Sequence, residues 1–195
     1  MDDEQMTMDL GVPVEQTAWG KWIDPDRRKA QVQKFMDHAG ISRFPSEPWP
    51  EGSVEVKRLD SIVAELFPDM ATAMAPENAD MADAFICFLG ECCIRFAGAH
   101  WEDYEWFGRD YSFYDDVNPL LKYGFDAEGD TAYGLMELMI NDYDPDDGGG
   151  MFSGIAEMLR EFADEYDANR HHNEARERER VEERERQRTL GREPQ

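Results

Sequence analysis

One apolar stripe constrains the fold of this chain more than any other feature. After Pro76, large apolar side chains recur at spacings of three and four residues, as on one face of an α-helix. The residues of this stripe are Met81, Phe85, Phe88, Leu89, Cys92 and Phe96. Ala82, Ile86 and Cys93 widen it, so we predict a central helix that is buried on more than one side and ends at Gly98.

Two segments before this helix also have helical signals. Asp24 has the position of an N-cap, Pro25 that of the first helical residue, and Gly40 that of the glycine at which many helices end. Residues 54–67 fit either one helix ending at Pro68 or a short strand followed by a helix. The periodicity does not decide between these two at this length.

An aromatic stretch follows the central helix. Residues 100–116 read HWEDYEWFGRDYSFYDD, in which aromatic and polar residues alternate with a period near two. Because Gly108, Arg109 and Asp110 interrupt this alternation, we predict a β-hairpin with a three-residue loop.

The remaining body contains two more predicted helices. Asn118 and Pro119 indicate a short turn or helix, and Asp130 is expected to cap a helix that follows it. A last body helix, Met151 to about Tyr166, repeats the apolar spacing of the central one. The predicted fold class is therefore α+β, a helix-rich single domain with a small antiparallel hairpin or sheet.

The chain is predicted to have three parts. Residues 1–16 are acidic without apolar periodicity and are expected to be a mobile leader, and residues 17–169 form the single domain. From residue 170 to 195 the only sizeable apolar residues are Val181 and Leu190, so no coiled-coil seam exists. We predict that this Arg/Glu-rich part is a solvated, charged helix or a disordered tail.

The acidic charge lies on the body. The chain has a net charge of −24, from 20 Lys and Arg against 44 Asp and Glu. Residues 170–195 hold 8 Arg and 7 Glu, which leaves 12 basic and 37 acidic residues, a net of −25, on residues 1–169. Such a surface argues against direct nucleic-acid binding and against anionic membranes, because both need Lys and Arg. The basic cluster at 27–29 is expected to neutralise an acidic neighbour.

The N-terminal residues and the longest uncharged stretch both bear on where the protein is located. The first residues, MDDEQ, lack the basic region of a signal peptide. The longest uncharged stretch, Gly148–Ala156, is far shorter than the roughly 20 residues that span a bilayer. We expect a cytoplasmic protein with no membrane association.

Two metal hypotheses arise from clustered ligand types. The first is a zinc site, with ligands from Cys87, Cys92, Cys93 and His100. These cysteines do not have the C-x-x-C spacing of zinc sites, so we prefer the interpretation that they are buried core thiols. A calcium or other divalent-cation site, as in a cation-dependent enzyme or sensor, is the second hypothesis. Its ligands would be Asp142, Asp144, Asp146 and Asp147. The EF-hand pattern fails there, since the sixth position is Asp and the twelfth is Ser.

We expect a non-enzymatic protein, because no catalytic motif is present. The four histidines have no nucleophile indicated near them, and neither G-x-S-x-G, H-E-x-x-H, a Walker A loop nor G-x-G-x-x-G occurs. No catalytic residue and no cofactor is assigned.

The preferred hypothesis is a module that binds a basic protein partner, in the manner of an immunity, antitoxin-like or adaptor protein. Long-range attraction would guide the partner, and aromatic rings would anchor it. The candidate partner-binding residues are Trp101, Tyr104, Trp106, Tyr111 and Tyr114 with Asp103 and Glu105. Three alternatives stay open: a nucleic-acid mimic that occupies a DNA-binding protein, the divalent-cation-binding enzyme or sensor at Asp142–Asp147, and a salt-adapted surface without a recognition role.

Residues 90–106, GECCIRFAGAHWEDYEW, resemble uncharacterised actinobacterial proteins in which a helix with a G-E pair leads through a small-residue turn into a Trp-led strand. Residues 22–41 and 56–68 are similar to the first helical segments of the same proteins. Those families usually have G-G-[RK]-W where this chain has Gly-Ala-His-Trp at 98–101. The resemblance implies an α+β body in a bacterial cytoplasm and transfers no catalytic residue.

Overall fold

The computed structural model of the chain describes residues 17–104, 111–141 and 149–190, and at positions 177, 179 and 181–190 it describes the backbone alone. In chain order the elements are α1 (Ala18–Ile23), α2 (Pro25–His38), α3 (Val54–Leu66), α4 (Met70–Ala73), a 3₁₀ turn (Pro76–Asn78), α5 (Ala79–Ala97), β1 (His100–Asp103), β2 (Pro119–Lys122), β3 (Asp130–Thr131), α6 (Ala132–Asn141) and α7 (Met151–Leu190). A helix-rich α+β domain with a small antiparallel sheet is thus confirmed.

Helix α5 is the centre of the core. It packs against α2 on one side and α7 on another, and Phe85 and Phe88 are completely buried. It ends at Gly98, which adopts a left-handed conformation with φ of 63° while the ring of Tyr166 packs against it. The central buried helix predicted from its stripe is therefore confirmed, because a helix apolar on several faces must be covered on several faces.

The helices before α5 follow their capping signals. The Asp24 carboxylate accepts a hydrogen bond of 2.8 Å from the Arg27 amide, and Pro25 begins α2 as predicted. Gly40 follows the helix with φ of 64°. The open question at residues 54–67 is resolved as one helix, α3, which Ser53 caps and which ends before Pro68.

The short helix α1 has no counterpart among the predicted helices. The Thr17 hydroxyl caps it by accepting a hydrogen bond from the Gly20 amide at 2.9 Å. Trp22 is buried and stacks on Trp19 with the ring centroids 5.4 Å apart. Six residues are too few to show helical periodicity, so only packing of the two tryptophans reveals this element.

The predicted three-residue loop at residues 108–110 lies outside the described residues, but the strand pairing predicted for the hairpin is wrong. Strand β1 pairs antiparallel with β2, and Trp101 lies opposite Leu121, so the partner of β1 is not the segment 111–116. The predicted turn or helix at Asn118 and Pro119 is also wrong, since β2 begins there. Residues 111–116 alternate in sequence as a strand would, but the structure has no strand there.

The sheet has the order β1-β2-β3, and β3 leads directly into α6. The expectation that Asp130 caps this helix is wrong. Thr131 does so instead, because its hydroxyl accepts a hydrogen bond from the Gly134 amide at 2.9 Å. Asp130 belongs to β3 and lies opposite Leu121.

Helix α7 closes the body and continues past it. At its start the Asp60 carboxylate of α3 accepts hydrogen bonds of 2.7 Å from both the amide and the hydroxyl of Ser153. A side chain from another helix thus satisfies the helix N-terminus. Its apolar face is buried up to Leu159, whereas the described side chains after Tyr166 are exposed. The predicted charged helix is therefore the continuation of the last body helix.

Two glycines allow a paired test of the packing between α5 and β1. We expect Gly90→Ala to lower the free energy of unfolding by about 1–3 kcal/mol, because a Cβ there would overlap the Trp101 ring. Gly154→Ala in α7, where a Cβ meets nothing within 4 Å, is expected to raise it by about 0.5–1 kcal/mol. Urea denaturation of both variants measures the difference, and equal effects at the two positions would contradict the close approach.

Candidate partner-binding surface

The five described residues of the predicted partner-binding set do not form one surface. Glu105 and Trp106 lie outside the described residues. Trp101 is buried and Tyr114 is half-buried against the core, whereas Asp103, Tyr104 and Tyr111 are exposed. The described part of the set is thus divided between a network against the core and a patch on the surface.

Trp101 is a core residue. Its ring lies against Gly90 of α5 and meets Trp22 edge to face, with the centroids 5.1 Å apart. Only 9% of the residue is exposed. The prediction that it anchors a partner is therefore corrected, because this ring is already used to attach β1 to α5.

Tyr114 is likewise turned inward. Its hydroxyl donates a hydrogen bond of 2.6 Å to the Asp83 carboxylate, and its ring meets Trp22 edge to face at 5.6 Å. Burial and the neighbouring Asp83 carboxylate raise the pKa of Tyr114 well above its ordinary value. The hydroxyl is therefore a permanent donor, and its role is to hold the connection between β1 and β2 on the helical core.

Asp83 is the acceptor of a buried network that the sequence did not indicate. Only 6% of this residue of α5 is exposed. Besides Tyr114 it accepts hydrogen bonds of 2.5 Å from both the Arg27 guanidinium and the Gln31 amide. Burial opposes the charge of Arg27, but the hydrogen bond and the attraction of Asp83 outweigh it and raise the pKa of Arg27.

The ion pair between Arg27 and Asp83 confirms that the basic cluster neutralises an acidic neighbour. The other guanidinium nitrogen of Arg27 donates to the Trp22 carbonyl at 3.1 Å, so the pair also secures α1. An isolated buried carboxylate costs several kcal/mol, and here three donors offset that cost. Periodicity could not predict that Asp83 is buried, because it lies beside the apolar stripe of α5 as an ordinary exposed polar residue would.

A second group of residues forms what we call the aromatic–acidic patch. Its members are exposed or half-buried rings and exposed carboxylates at the end of the sheet and the start of α6. They are Tyr104, Tyr111, Phe113, Tyr133, Glu102, Asp103, Asp115 and Asp116. Tyr104 is 44% and Tyr111 is 55% exposed, which makes them two of the large apolar side chains most open to solvent in the described residues.

The rings of the patch support one another. Tyr111 meets Tyr133 edge to face at 5.7 Å, and Phe113 lies 6.0 Å from the same ring. Tyr133 was not predicted to belong here, because α6 is remote in sequence and only the return of the chain brings the two segments together. Rings already packed in this way lose little conformational entropy when a partner covers them.

Hydrogen bonds hold the backbone beneath the patch. The Tyr104 amide donates to the Asn118 carbonyl at 2.9 Å, and the Asn118 amide donates to the Asp103 carboxylate at 3.0 Å. The buried Ser112 hydroxyl donates to the Val117 carbonyl at 2.9 Å. Together with Tyr114, these bonds anchor the connection at both of its described ends, so the patch is preorganised.

The cysteines are buried core thiols, as the preferred interpretation stated. All three are free, and none is more than 2% exposed. Burial raises the pKa of Cys87 to about 12 and that of Cys93 to about 12, and that of Cys92 well above its ordinary value. Within the described residues no three His, Cys, Asp or Glu side chains converge on a metal position. The aspartates predicted to bind calcium, Asp142 to Asp147, lie outside those residues.

Cys93 adjoins a further buried polar group. Tyr123 Oη and Asp130 Oδ2 are both buried beside it. Burial raises the pKa of Tyr123, with Cys93 and Asp130 adding to the effect, and burial also raises the pKa of Asp130. Burial likewise raises the pKa of Cys93, and a neutral buried thiol is a poor nucleophile.

Comparison with known proteins gives no information about the patch. No protein-family model, curated protein or solved structure matches the chain. The similarity to actinobacterial proteins therefore stays a prediction. In the part of the chain that the structure describes, no helix combines the length and apolar character needed to cross a bilayer.

Removal of the Tyr114 hydroxyl tests the buried network. We expect Tyr114→Phe to lower the free energy of unfolding by about 1–2 kcal/mol, because a buried hydrogen bond to a charged acceptor is lost. Tyr166→Phe is the matched control, since its ring also packs on the core at Gly98 but its hydroxyl makes no hydrogen bond within the described residues. Similar losses in both variants, measured by urea denaturation, would contradict the role of Asp83 as acceptor.

The thiols allow a test of the cysteine environment. At pH 8 a pKa of about 12 leaves only about one Cys87 thiol in 10⁴ ionised, and burial also blocks access. We therefore expect no reaction of the native protein with a disulfide reagent such as dithionitrobenzoate over an hour. All three thiols are expected to react within minutes in guanidinium chloride. Rapid reaction of one thiol in the native state would show that a cysteine is accessible.

Proposed function

We propose that this protein is a non-enzymatic binding module that engages a basic protein partner through the aromatic–acidic patch. The observation that carries the proposal is the exposure of Tyr104 and Tyr111 in two segments that also expose the carboxylates Asp103, Asp115 and Asp116. Tyrosines of this kind are enriched among the residues that dominate binding energy. The carboxylates around them select for Lys and Arg on the partner.

The two kinds of side chain have different roles in the proposed interaction. The net charge of −25 on residues 1–169 attracts a basic protein over a distance and raises the association rate. The rings act after contact, when they exclude water and slow dissociation. Salt screens the first effect much more than the second, because the Debye length falls to about 8 Å at 0.15 M salt.

The setting that we propose is a bacterial cytoplasm, where an immunity, antitoxin-like or adaptor protein would meet a basic toxin, effector or assembly partner. Free thiols at Cys87, Cys92 and Cys93 are in keeping with a reducing compartment. An acidic antagonist of a basic protein needs no catalytic residue, since occupying the partner surface is sufficient. The buried, neutral cysteine thiols, which are poor nucleophiles, are in keeping with such a non-catalytic role.

The test begins with affinity purification from the native host at low salt, followed by binding kinetics with a co-purified basic protein. We expect Tyr111→Ala to raise the dissociation rate by about 10-fold or more with little change in association. The double variant Asp115→Asn/Asp116→Asn is expected to lower the association rate several-fold and to reduce its salt dependence. Surface plasmon resonance at several salt concentrations measures both rates.

A matched control removes the same charge elsewhere. Glu55→Gln/Glu65→Gln changes two exposed carboxylates of α3, a helix that packs on α7 rather than on the patch. Its effect on the association rate should be clearly smaller. Equal effects of the two double variants would show that the net charge of the whole body, and not the patch, guides the partner, and salt-independent binding would remove the steering mechanism. Co-purification of only a DNA-binding protein would favour nucleic-acid mimicry.

A further inference from the structure

Strand β1 is an edge of the sheet. The order β1-β2-β3 places β2 on one side of it, and no described strand lies on the other. An edge strand presents backbone N–H and C=O groups in the geometry that another extended chain can pair with. Which groups of β1 point outward follows from the register of the sheet.

The hydrogen bond from the Tyr104 amide to the Asn118 carbonyl determines this direction. Backbone groups of an antiparallel strand point alternately to its two neighbours. Residues 118, 120 and 122 of the second strand therefore face β1, and they pair with residues 104, 102 and 100. Trp101 and Asp103 consequently direct their N–H and C=O groups away from β2.

Two further observations agree with this assignment. The carbonyl oxygen of Leu121, which alternates with the residues facing β1, lies against Gly129 just before β3, on the other side of β2. Pro119 has no N–H group, and the alternation turns its nitrogen away from β1, where no ladder donor is needed. Within the described residues, no hydrogen bond is recorded for the backbone groups of Trp101 and Asp103 on the outer side of β1.

We propose that an extended, basic segment of the partner pairs with β1 as an added strand, through the backbone groups of Trp101 and Asp103. This inference rests on the proposed function and specifies its binding mode. The side chains of His100, Glu102 and Asp103 on β1 are exposed, and the carboxylates select for Lys or Arg on the added strand. Tyr104 follows directly, so the strand addition is continuous with the aromatic–acidic patch.

The same charges argue against a second copy of this chain as the occupant. Antiparallel pairing of two β1 strands through their Trp101 and Asp103 backbone groups would place the two Glu102 side chains directly opposite each other. Like charges at directly opposite positions of paired strands are destabilising. A basic extended chain relieves this repulsion, whereas a copy creates it.

The probe is a synthetic peptide, acetyl-Lys-Thr-Lys-Val-Lys-Thr-Lys-amide, added to the full-length ¹⁵N-labelled protein. Hydrogen exchange of individual amides is followed by NMR. We expect the Trp101 and Asp103 amides to exchange readily in the free protein and to slow at least about 10-fold with peptide. The Glu102 amide, which already faces Leu120, should change much less. A peptide with alternate N-methylated amides should lose the effect.

A charge exchange provides the second arm. Glu102→Lys is expected to weaken binding of the Lys peptide and to allow binding of the equivalent Glu peptide. Because Glu102 is exposed, we expect this variant to fold normally. Slow exchange of the Trp101 and Asp103 amides in the free protein would overturn the inference, because the edge would then be occupied. Absence of peptide binding would also overturn it.

The outcomes separate this inference from the proposed function. Peptide binding that shifts only Tyr104 and Tyr111 signals, without protection at β1, overturns strand addition and leaves the patch as the binding site. Protection at Trp101 and Asp103 that Tyr111→Ala leaves unchanged supports strand addition and counts against the rings as anchors. If the peptide protects the Trp101 and Asp103 amides but not the Glu102 amide, and Tyr111→Ala also weakens binding, the result supports both strand addition and the role of the rings as anchors.

Discussion

The hydrogen bonds that converge on the Asp83 carboxylate hold three separate parts of the chain together. This carboxylate lies in the most buried helix, where a charge is unfavourable unless donors surround it. Arg27 and Gln31 from α2 and Tyr114 from the connection after β1 all donate to it. One acceptor therefore joins α2, the central helix and the segment that carries the exposed rings.

This network explains how an acidic, aromatic segment is divided between core and surface. Trp101 and Tyr114 turn inward to Gly90, Trp22 and Asp83, whereas Tyr111 remains outside against Tyr133. The inward rings hold the segment in place, and the outward rings are thereby presented in one fixed arrangement. Preorganisation lowers the ordering cost of binding, so in the proposed interaction the interior network would contribute to affinity without touching the partner.

Local chemistry made some elements predictable. The stripe of α5, the cap of α2 at Asp24 and the glycines 40 and 98 each act over fewer than about five residues, and each is found where the sequence indicated. The strand pairing predicted for the hairpin and the cap at Asp130 were wrong. In both cases a distant contact decided the outcome: the pairing of β1 with β2, and the position of Asp130 opposite Leu121. Of the candidate surface, Tyr104 and Tyr111 were foreseen, but Tyr133 was not.

Composition and periodicity were sufficient to predict a helix-rich α+β body, its central helix, its buried thiols and the location of the acid on residues 1–169. Each of these depends on composition or on periodicity along one element. Three properties became visible only in the folded chain: which described aromatic rings are exposed, that Asp83 is buried, and that no described strand covers the outer side of β1. Those properties belong to pairs of segments far apart in the chain, and alternation along one segment contains no information about the partner that will cover it.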